Sequence, residues 1–359
     1  TTTVATDLEP GQSIGGSGDD AGDNYRYDEI GNLIQDEQEG IANIEWRVDG
    51  KIAAVRGKDG TDQPDVEFKY DPMGNRICKL VKPRDPSTGL KPLSSWKETV
   101  YTRDAQGNEM AIYTSTYLEK DADAKIYSAE TRLKEFSLYG SSRLGIKNVD
   151  KVISTKDLIY DDATKTYMPL VSYENGEPGI SHYYSGTIQK KIDASKRGLK
   201  VYELSDHLGN VNVTVTDQKF VNNGVFEAVV ASASEVYPFG MEKPGRIYQS
   251  ESYRYGFNTQ EKEDELGEGI YSAEFWIYDS KIIRRWNLDP VYKHYLSNYV
   301  VLGNNPNIFI DPRGDNWYVS NGKSDNKKAN DDKMVWFPSD AEADKYFGTG
   351  NYIDLGENV

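Results

Sequence analysis

One turn motif recurs along the chain, and its spacing constrains the fold more than any other feature of the sequence. The pattern Asp-x-x-Gly-Asn occurs at residues 28–32, 71–75 and 104–108, and a weaker copy, Val48-Asp49-Gly50, lies between the first two. An aspartate side chain caps such a turn, and Gly and Asn tolerate the positive φ that folds a strand back on itself. Each copy therefore predicts a β-hairpin, with caps and positive-φ glycines at Asp28, Asp71, Asp104 and at Gly31, Gly74, Gly107.

Hairpins of ~20 residues cannot bury a face alone, so the copies are expected to pack side by side. The 26 Tyr, 10 Phe and 32 Gly suit short, half-buried strands joined by tight turns. Residues 157–200 carry Tyr160, Tyr167, Tyr173, Tyr183 and Tyr184 in strand-like alternation, which indicates further hairpins. The predicted fold is all-β, a long antiparallel sheet with helix well below the ~30–35% of ordinary globular domains.

Charge and cysteine content exclude several classes of function. The net charge of −16 repels phosphates, so a nucleic-acid partner is not expected. The single Cys78 excludes an intramolecular disulfide, and neither zinc spacing nor a calcium-loop motif is present. We therefore expect no metal and no cofactor. No apolar run approaches the ~18–20 residues of a membrane-spanning helix.

A series of further motifs follows the first two Tyr-Asp repeats in a fixed order. It runs FSLYGSSRLG (136–145), YELSDHLGNV (202–211), YPFGM (237–241) and YRYGF (253–257), and closes on Tyr278-Asp279, Arg284, Leu288-Asp289-Pro290 and NNPNIFIDPRG (304–314). Together these motifs resemble the YD repeats of the Rhs family, in the form found in Bacteroidota. The resemblance covers roughly residues 25–318.

The resemblance implies a sheet that curls into a shell or open barrel and encloses a polymorphic C-terminal effector, a toxin. Implied partners are that cargo or the remaining parts of a longer Rhs polypeptide, the secretion machinery and an immunity protein; the implied location is secreted or at the cell surface. The expected divisions are a flexible linker or cut N-terminus (1–24), a YD-repeat shell (25–277), a C-terminal plug (278–318) and the start of a variable region (319–359). A surface adhesin or glycan-binding module is the alternative from the binding class.

Some Rhs relatives cleave themselves after a DPxG motif, with two aspartates acting as an aspartic-protease pair. The resemblance places Asp289 and Asp311 in those roles, Arg284 at the family's arginine position, and the cleaved bond between Gly314 and Asp315. The pair needs carboxylates close enough to share a proton. The other interpretation is that both Asp-Pro pairs form turns.

The sequence departs from the self-cleaving pattern at four positions. Ile283 stands where relatives carry Gly, Arg285 at an aromatic position, Leu288 where relatives carry Arg, and the charged Asp315 where they carry an apolar residue. We therefore expect the aspartates to form turns and the chain not to cleave itself.

Other candidate positions have simpler structural interpretations. His207 lies in a DHLGN motif and is expected in a turn, and His182 and His294 have no metal-ligand spacing. The highly charged segment 258–269 is expected to form a short helix or an exposed loop.

Overall fold

The computed structural model describes residues 24–140, 142–161, 166–169, 173–174, 177–178, 197–249, 253–293, 296–311, 313–315 and 318–319. Several sequence predictions fall outside the described residues: the N-terminal linker up to residue 23, His182, the strands expected around Tyr183 and Tyr184, His294, and the variable region beyond Val319.

The regular secondary structure of the described residues consists of strands and three short 3-10 turns, at Leu93–Ser95, Phe257–Thr259 and Leu302–Asn304. The strands are β1 (Tyr25–Tyr27), β2 (Leu33–Asp36), β3 (Ile41–Trp46), β4 (Ile52–Gly57), β5 (Asp65–Tyr70), β6 (Arg76–Lys82), β7 (Arg84–Asp85), β8 (Gly89–Leu90), β9 (Lys97–Arg103), β10 (Glu109–Asp121), β11 (Ile126–Tyr139), β12 (Arg143–Asp161), β13 (Thr166–Pro169), β14 (Tyr173–Glu174), β15 (Glu177–Pro178), β16 (Lys200–Ser205), β17 (Val211–Asn222), β18 (Val225–Val236), β19 (Glu242–Gln249), β20 (Glu261–Lys262), β21 (Ile270–Ser272), β22 (Ile277–Asp279), β23 (Arg284–Arg285), β24 (Phe309–Ile310) and β25 (Tyr318–Val319).

A single long antiparallel sheet dominates the fold. Its order is β1 to β6, then β9 to β12, then β16 to β19, each strand pairing with the next, while β13 also pairs with β12. Strands β1 and β19 are the two ends of this order, which does not close into a barrel among the described residues. The prediction of an all-β fold built on a long antiparallel sheet is confirmed.

The C-terminal segment, residues 253–315, packs against the start of this sheet. Its own sheet has the order β20-β21-β22-β23. The largest apolar core joins the two parts: the long sheet contributes Leu33, Ile41, Ile44, Ile52, Val55, Val66, Phe68 and Val81, and the segment contributes Leu266, Ile270, Ile277 and Trp286. Burial of each such side chain contributes ~1.5–3 kcal/mol, so this core is a main source of the attachment.

An ionic network attaches the same segment to later strands of the sheet. Arg254 lies 2.6 Å from Glu135 of β11, 3.1 Å from Glu109 of β10 and 2.9 Å from Glu261 of its own segment. All three glutamates are buried. Buried carboxylates need such partners, because an unpaired buried charge is strongly unfavourable.

The charged segment 258–269 supplies the acidic half of a second cluster. Arg76 of β6 pairs with Glu261 at 2.6 Å and with Glu263, and Lys79 pairs with Glu263 at 3.1 Å. Glu263 is 0% exposed. This segment is thus neither a helix nor an exposed loop: it forms the 3-10 turn at Phe257–Thr259 and strand β20, and its glutamates face cations of the sheet. The many charges of this segment suggested exposure to solvent, but Arg76 and Lys79 of the sheet pair with its glutamates and allow them to be buried.

Candidate functional site

Each Asp-x-x-Gly-Asn motif forms a turn that its own aspartate caps. In the second copy, Asp71 Oδ1 accepts hydrogen bonds from the N–H groups of Met73 (2.9 Å) and Asn75 (2.8 Å), and Asp71 Oδ2 accepts one from Asn75 Nδ2 (3.0 Å). Asp28 and Asp104 make the same three bonds, and so does Asp206 of the DHLGN motif. The exposed His207 occupies a turn position there.

The glycines of these turns have the left-handed backbone that the motif requires. Gly31, Gly74 and Gly107 have φ of +96°, +84° and +88°. They also allow close approach by neighbouring side chains: a Cβ on Gly74 would lie 2.9 Å from Lys51 Cε, and one on Gly107 would lie 2.8 Å from Asn75 Oδ1. Successive turns therefore pack against one another along one end of the sheet.

Asp311 caps a fifth, related turn, but the first N–H group that bonds its carboxyl lies three residues on, at Gly314, rather than two residues on as in the other four turns. Its Oδ1 accepts hydrogen bonds from the N–H groups of Gly314 (2.6 Å) and Asp315 (3.2 Å), and Gly314 has φ of +82°. The last position of the motif, Asn in the other turns, is Asp315 here. An aspartate supplies no amide donor to the capping carboxyl, so a second carboxyl group lies near Asp311 and the amide hydrogen bond of the other turns is absent.

Cations surround this fifth turn. Arg285 donates from Nη2 to the Gly314 carbonyl at 2.9 Å and lies 3.2 Å from Asp289 Oδ2. Lys293 donates to Asp289 Oδ2 at 2.9 Å and to the Asp315 carbonyl at 3.3 Å. The carbonyl of the Gly314–Asp315 peptide bond and the next carbonyl along the chain, that of Asp315, therefore both accept hydrogen bonds from positively charged side chains.

Arg284, the arginine that the family pattern indicated, does not lie at this site. It is exposed, and its Nη1 donates to the Ile283 carbonyl at 2.8 Å. Successive side chains of a strand point to opposite faces, and β23 directs Arg285 inward, where its side chain is 0% exposed. The structure therefore places Arg285, one residue later, beside the two aspartates.

The two aspartates have different surroundings. Asp311 is buried, and burial raises its pKa to about 7, although the Gly314 N–H and Arg285 act in the opposite direction. The negative charges of Asp315 and Asp289 raise this pKa further. Asp289 Oδ1 accepts the Val291 N–H at 2.9 Å, as expected for a turn-forming aspartate, and its Oδ2 is held by Lys293 and Arg285.

This arrangement has features of both interpretations of the sequence. Arg285 is placed to stabilise negative charge on the Gly314 carbonyl oxygen, and the Asp311 carboxyl accepts the N–H of Asp315, the nitrogen of the same peptide bond. Each aspartate also caps a turn. Lys293 and Arg285 could not be assigned from sequence, because no motif marks Lys293 and the strand register decides which arginine faces inward.

Metal and membrane features are not evident in the part of the chain that the structure describes. No group of three or more His, Cys, Asp or Glu side chains there is arranged to hold a metal ion. None of the helical turns in those residues is long and apolar enough to cross a membrane.

Comparison with known proteins gives a distant structural similarity. No known family matches the sequence, and no curated protein matches it. The structure is similar to the crystal structure of TcdB2-TccC3 without hypervariable C-terminal region, with 13% identity and a TM-score of 0.27, over 81% of this chain and 19% of that chain. TcdB2-TccC3-TEV gives 14% identity and the same TM-score and coverage. This chain thus spans about a fifth of those chains, and a similarity at this level does not establish a family.

Proposed function

We propose that this chain is a structural scaffold: the C-terminal part of an Rhs-type shell that wraps and presents a polymorphic C-terminal effector for secretion or delivery. One observation carries the proposal. The C-terminal segment packs on strands β2 to β6 through an apolar core and is held by buried ion pairs, and Lys293 of this segment holds the Asp315 carbonyl, so that Asp315 has a fixed position. In this proposal the long sheet forms the wall and the C-terminal segment, residues 253–315, forms the plug, which begins earlier than the boundary at residue 278 expected from the sequence.

The test uses the natural polypeptide, with whatever follows residue 359 in its open reading frame. A nuclease-like or deaminase-like continuation is expected, and a secretion-sorting domain alone would favour surface display instead. Limited proteolysis should then leave the region after residue 319 intact in the full polypeptide but digest the same region expressed alone. Equal digestion of the two would contradict enclosure by this chain.

Aspartyl self-cleavage between Gly314 and Asp315 is a second candidate function, and the hydrogen bond from Arg285 to the Gly314 carbonyl favours it. In such a reaction Arg285 would stabilise the oxyanion, Asp311 would protonate the leaving nitrogen and Asp289 would activate water. Two features oppose it. The Asp289 carboxylate is already engaged by Lys293 and Arg285, and Asp311 uses Oδ1 as a turn cap.

A further inference from the structure

A cleft of about 610 Å³ lies between the turn end of the long sheet and the C-terminal segment. The turns at Gly50, Gly74 and Gly107 form one wall, and residues 272–277 form the opposite wall. This volume is within the range of ~300–1,000 Å³ that is typical of small-molecule sites. Neither the capping aspartates nor the Gly314–Asp315 site accounts for it.

Two cations in this cleft have no carboxylate within ion-pair distance among the described residues. Lys51 donates to the Glu274 carbonyl, and its Nζ lies 4.9 Å from the centre of the Phe275 ring. Arg103 donates to the carbonyls of Arg76 and Gly107, both at 2.9 Å. These two side chains stand on either side of the Asp71–Asn75 turn, because Lys51 packs on Gly74 and Arg103 bonds the carbonyl just after that turn.

Nearby carboxylates act on these cations only from a greater distance. Asp71 is the cap of its own turn, and Glu274 forms an ion pair with Arg313 at 3.0 Å. In a chain of net charge −16, two cations of this kind form a local positive site. Charge complementarity therefore favours an anionic ligand.

A buried amide oxygen in the same cleft requires a hydrogen-bond donor. Asn287 is 5% exposed and lines the cleft, and its Nδ2 donates to the carbonyls of Phe275 (2.8 Å) and Leu288 (3.2 Å). These two bonds fix the orientation of the amide. Its Oδ1 accepts no hydrogen bond from the described residues. A complementary ligand therefore carries a hydroxyl or N–H donor in addition to its negative charge.

The strands that reach the cleft from the sheet argue against an extended peptide. Strands β5, β6, β9 and β10 are each paired on both edges, so they offer no free edge to a peptide backbone. The sheet instead presents turn residues to the cleft, among them the exposed Gln106. A ligand that bonds through carboxylate and hydroxyl groups fits such a surface better.

We propose that this cleft binds a short acidic oligosaccharide, with a carboxylate between Lys51 and Arg103 and a hydroxyl that donates to Asn287 Oδ1. The cleft has room for about two or three sugar residues. The proposal does not depend on the shell function, and failure of one leaves the other in place.

The test is calorimetric titration of the whole chain with trigalacturonic acid, with neutral galactotriose and triglutamate as matched probes. Trigalacturonic acid should bind at least about tenfold more tightly than galactotriose, since a charge-assisted contact contributes about a tenfold change in affinity or more. It should also bind more tightly than triglutamate, whose backbone finds no free strand edge on the sheet side of the cleft. Its binding should weaken as salt is added. Equal binding of galactotriose, tighter binding of triglutamate, or no binding of the acidic sugar would overturn the proposal.

Variants at the rim separate binding from folding. Gln106 has an exposed side chain, so Gln106→Lys and Gln106→Glu should leave the melting temperature unchanged while shifting the affinity for trigalacturonic acid in opposite directions. Lys51→Gln should weaken binding about tenfold. Lys219→Gln is its control, because Lys219 also lies over an aromatic ring, 3.9 Å from the centre of Phe226, but outside the cleft. Equal affinity of the Gln106→Lys and Gln106→Glu variants for trigalacturonic acid would contradict binding at this site.

Discussion

Left-handed backbone recurs at the turns of this fold, and the residue at each such position determines the energetic cost. Gly50 and Gly74 have φ of +75° and +84°, but a Cβ on Gly50 would meet no atom within 4 Å, whereas one on Gly74 would meet Lys51. An L-residue in this conformation costs roughly 1–2 kcal/mol. Conformation and packing therefore make separable contributions at these two positions.

Replacement of Gly74 by Val should lower the free energy of unfolding by about 1–2 kcal/mol from the backbone alone, with an added loss from displacement of Lys51. Gly50→Val is the matched control and should show only the backbone part. Urea denaturation of both variants measures the two losses. Equal losses would mean that the contact with Lys51 makes no contribution to stability. Unchanged stability in both variants would contradict the turn assignment.

Ile283 occupies the same conformation with an unsuitable side chain. It lies just before β23 with φ of +57°, and branched side chains rarely adopt positive φ. The resemblance to the Rhs family implied Gly at this position, and Gly adopts positive φ without the steric cost that Ile283 has. Ile283 therefore introduces strain into the hairpin that carries Arg285.

The pair Ile283→Gly and Ile283→Ala isolates this strain, because both variants remove the isoleucine side chain. The Gly variant should be more stable than the Ala variant by about 1 kcal/mol. At an ordinary strand position the order would be reversed, since Gly loses more chain entropy on folding. Thermal unfolding of the two proteins decides the order, and a more stable Ala variant would contradict the positive φ.

At the scale of elements, the fifth turn carries Asp315 where the others carry an asparagine. Asn32, Asn75 and Asn108 each donate an amide hydrogen to the capping aspartate, but Asp315 brings a second carboxylate to Asp311. Arg285 and Lys293 compensate part of this charge. The turn at 311–315 is therefore expected to respond to pH near neutrality.

Asp315→Asn should restore the missing hydrogen bond and stabilise the fold by about 1 kcal/mol at pH 8. The pKa of Asp311 is raised to about 7 from its ordinary 3.8, so its ionised form destabilises the folded state. Stability from this group is gained as pH falls from about 8 through 7 towards 4. When the pH falls from 8 to 6, Asp315→Asn should therefore gain less stability than the parent, as measured by melting temperature.

Asp62→Asn makes the same change of charge at an exposed position and is the control for Asp315→Asn. It should alter neither the melting temperature nor its pH dependence by a measurable amount. An identical response of the two variants would mean that net charge, rather than the turn at Asp311, causes the effect.

The elements differ in how far sequence could predict them. The hairpins at Asp28, Asp71 and Asp104 follow from local chemistry, because cap, glycine and asparagine act within five residues. The attachment of the C-terminal segment to the long sheet cannot be predicted from local chemistry. Glu263 meets Arg76, 187 residues away, and sequence spacing carries no information about a contact at that separation. The candidate site was half predicted: both aspartates were found, but Arg285 required the register of β23.

The ionic network offers a direct test of how the segment is held. Arg254→Met would leave Glu109, Glu135 and Glu261 with less compensation in a buried site, which is expected to cost about 3–5 kcal/mol. Arg246→Met is the matched control, since Arg246 is 65% exposed and pairs with Glu235 at 3.1 Å; it should change stability by less than about 1 kcal/mol. Similar, small losses in both variants would show that the network does not hold the segment.

At the scale of the whole molecule, the long sheet and its C-terminal segment depend on each other. Each hairpin contacts mainly its sequence neighbours, but the core over β2 to β6 is completed by Leu266, Ile270, Ile277 and Trp286. Those strands cannot bury their apolar face until nearly the whole chain is present. Contacts of such high sequence separation are expected to slow folding.

Self-cleavage is the last property at this scale, and the Gly314–Asp315 bond lies beside Arg285 and Lys293 of the same C-terminal segment. We expect no cleavage. Asp289 is engaged by two cations, Asp311 caps the turn that holds the bond, and the charged Asp315 opposes the desolvation that a protease site needs.

The measurement is the intact mass of the purified chain beside Asp289→Asn, Asp311→Asn and Arg285→Met variants. A single full-length species is expected in all four. A fragment that ends at Gly314 in the parent and is absent from the variants would instead establish the aspartates as a catalytic pair, with Arg285 at the reacting carbonyl.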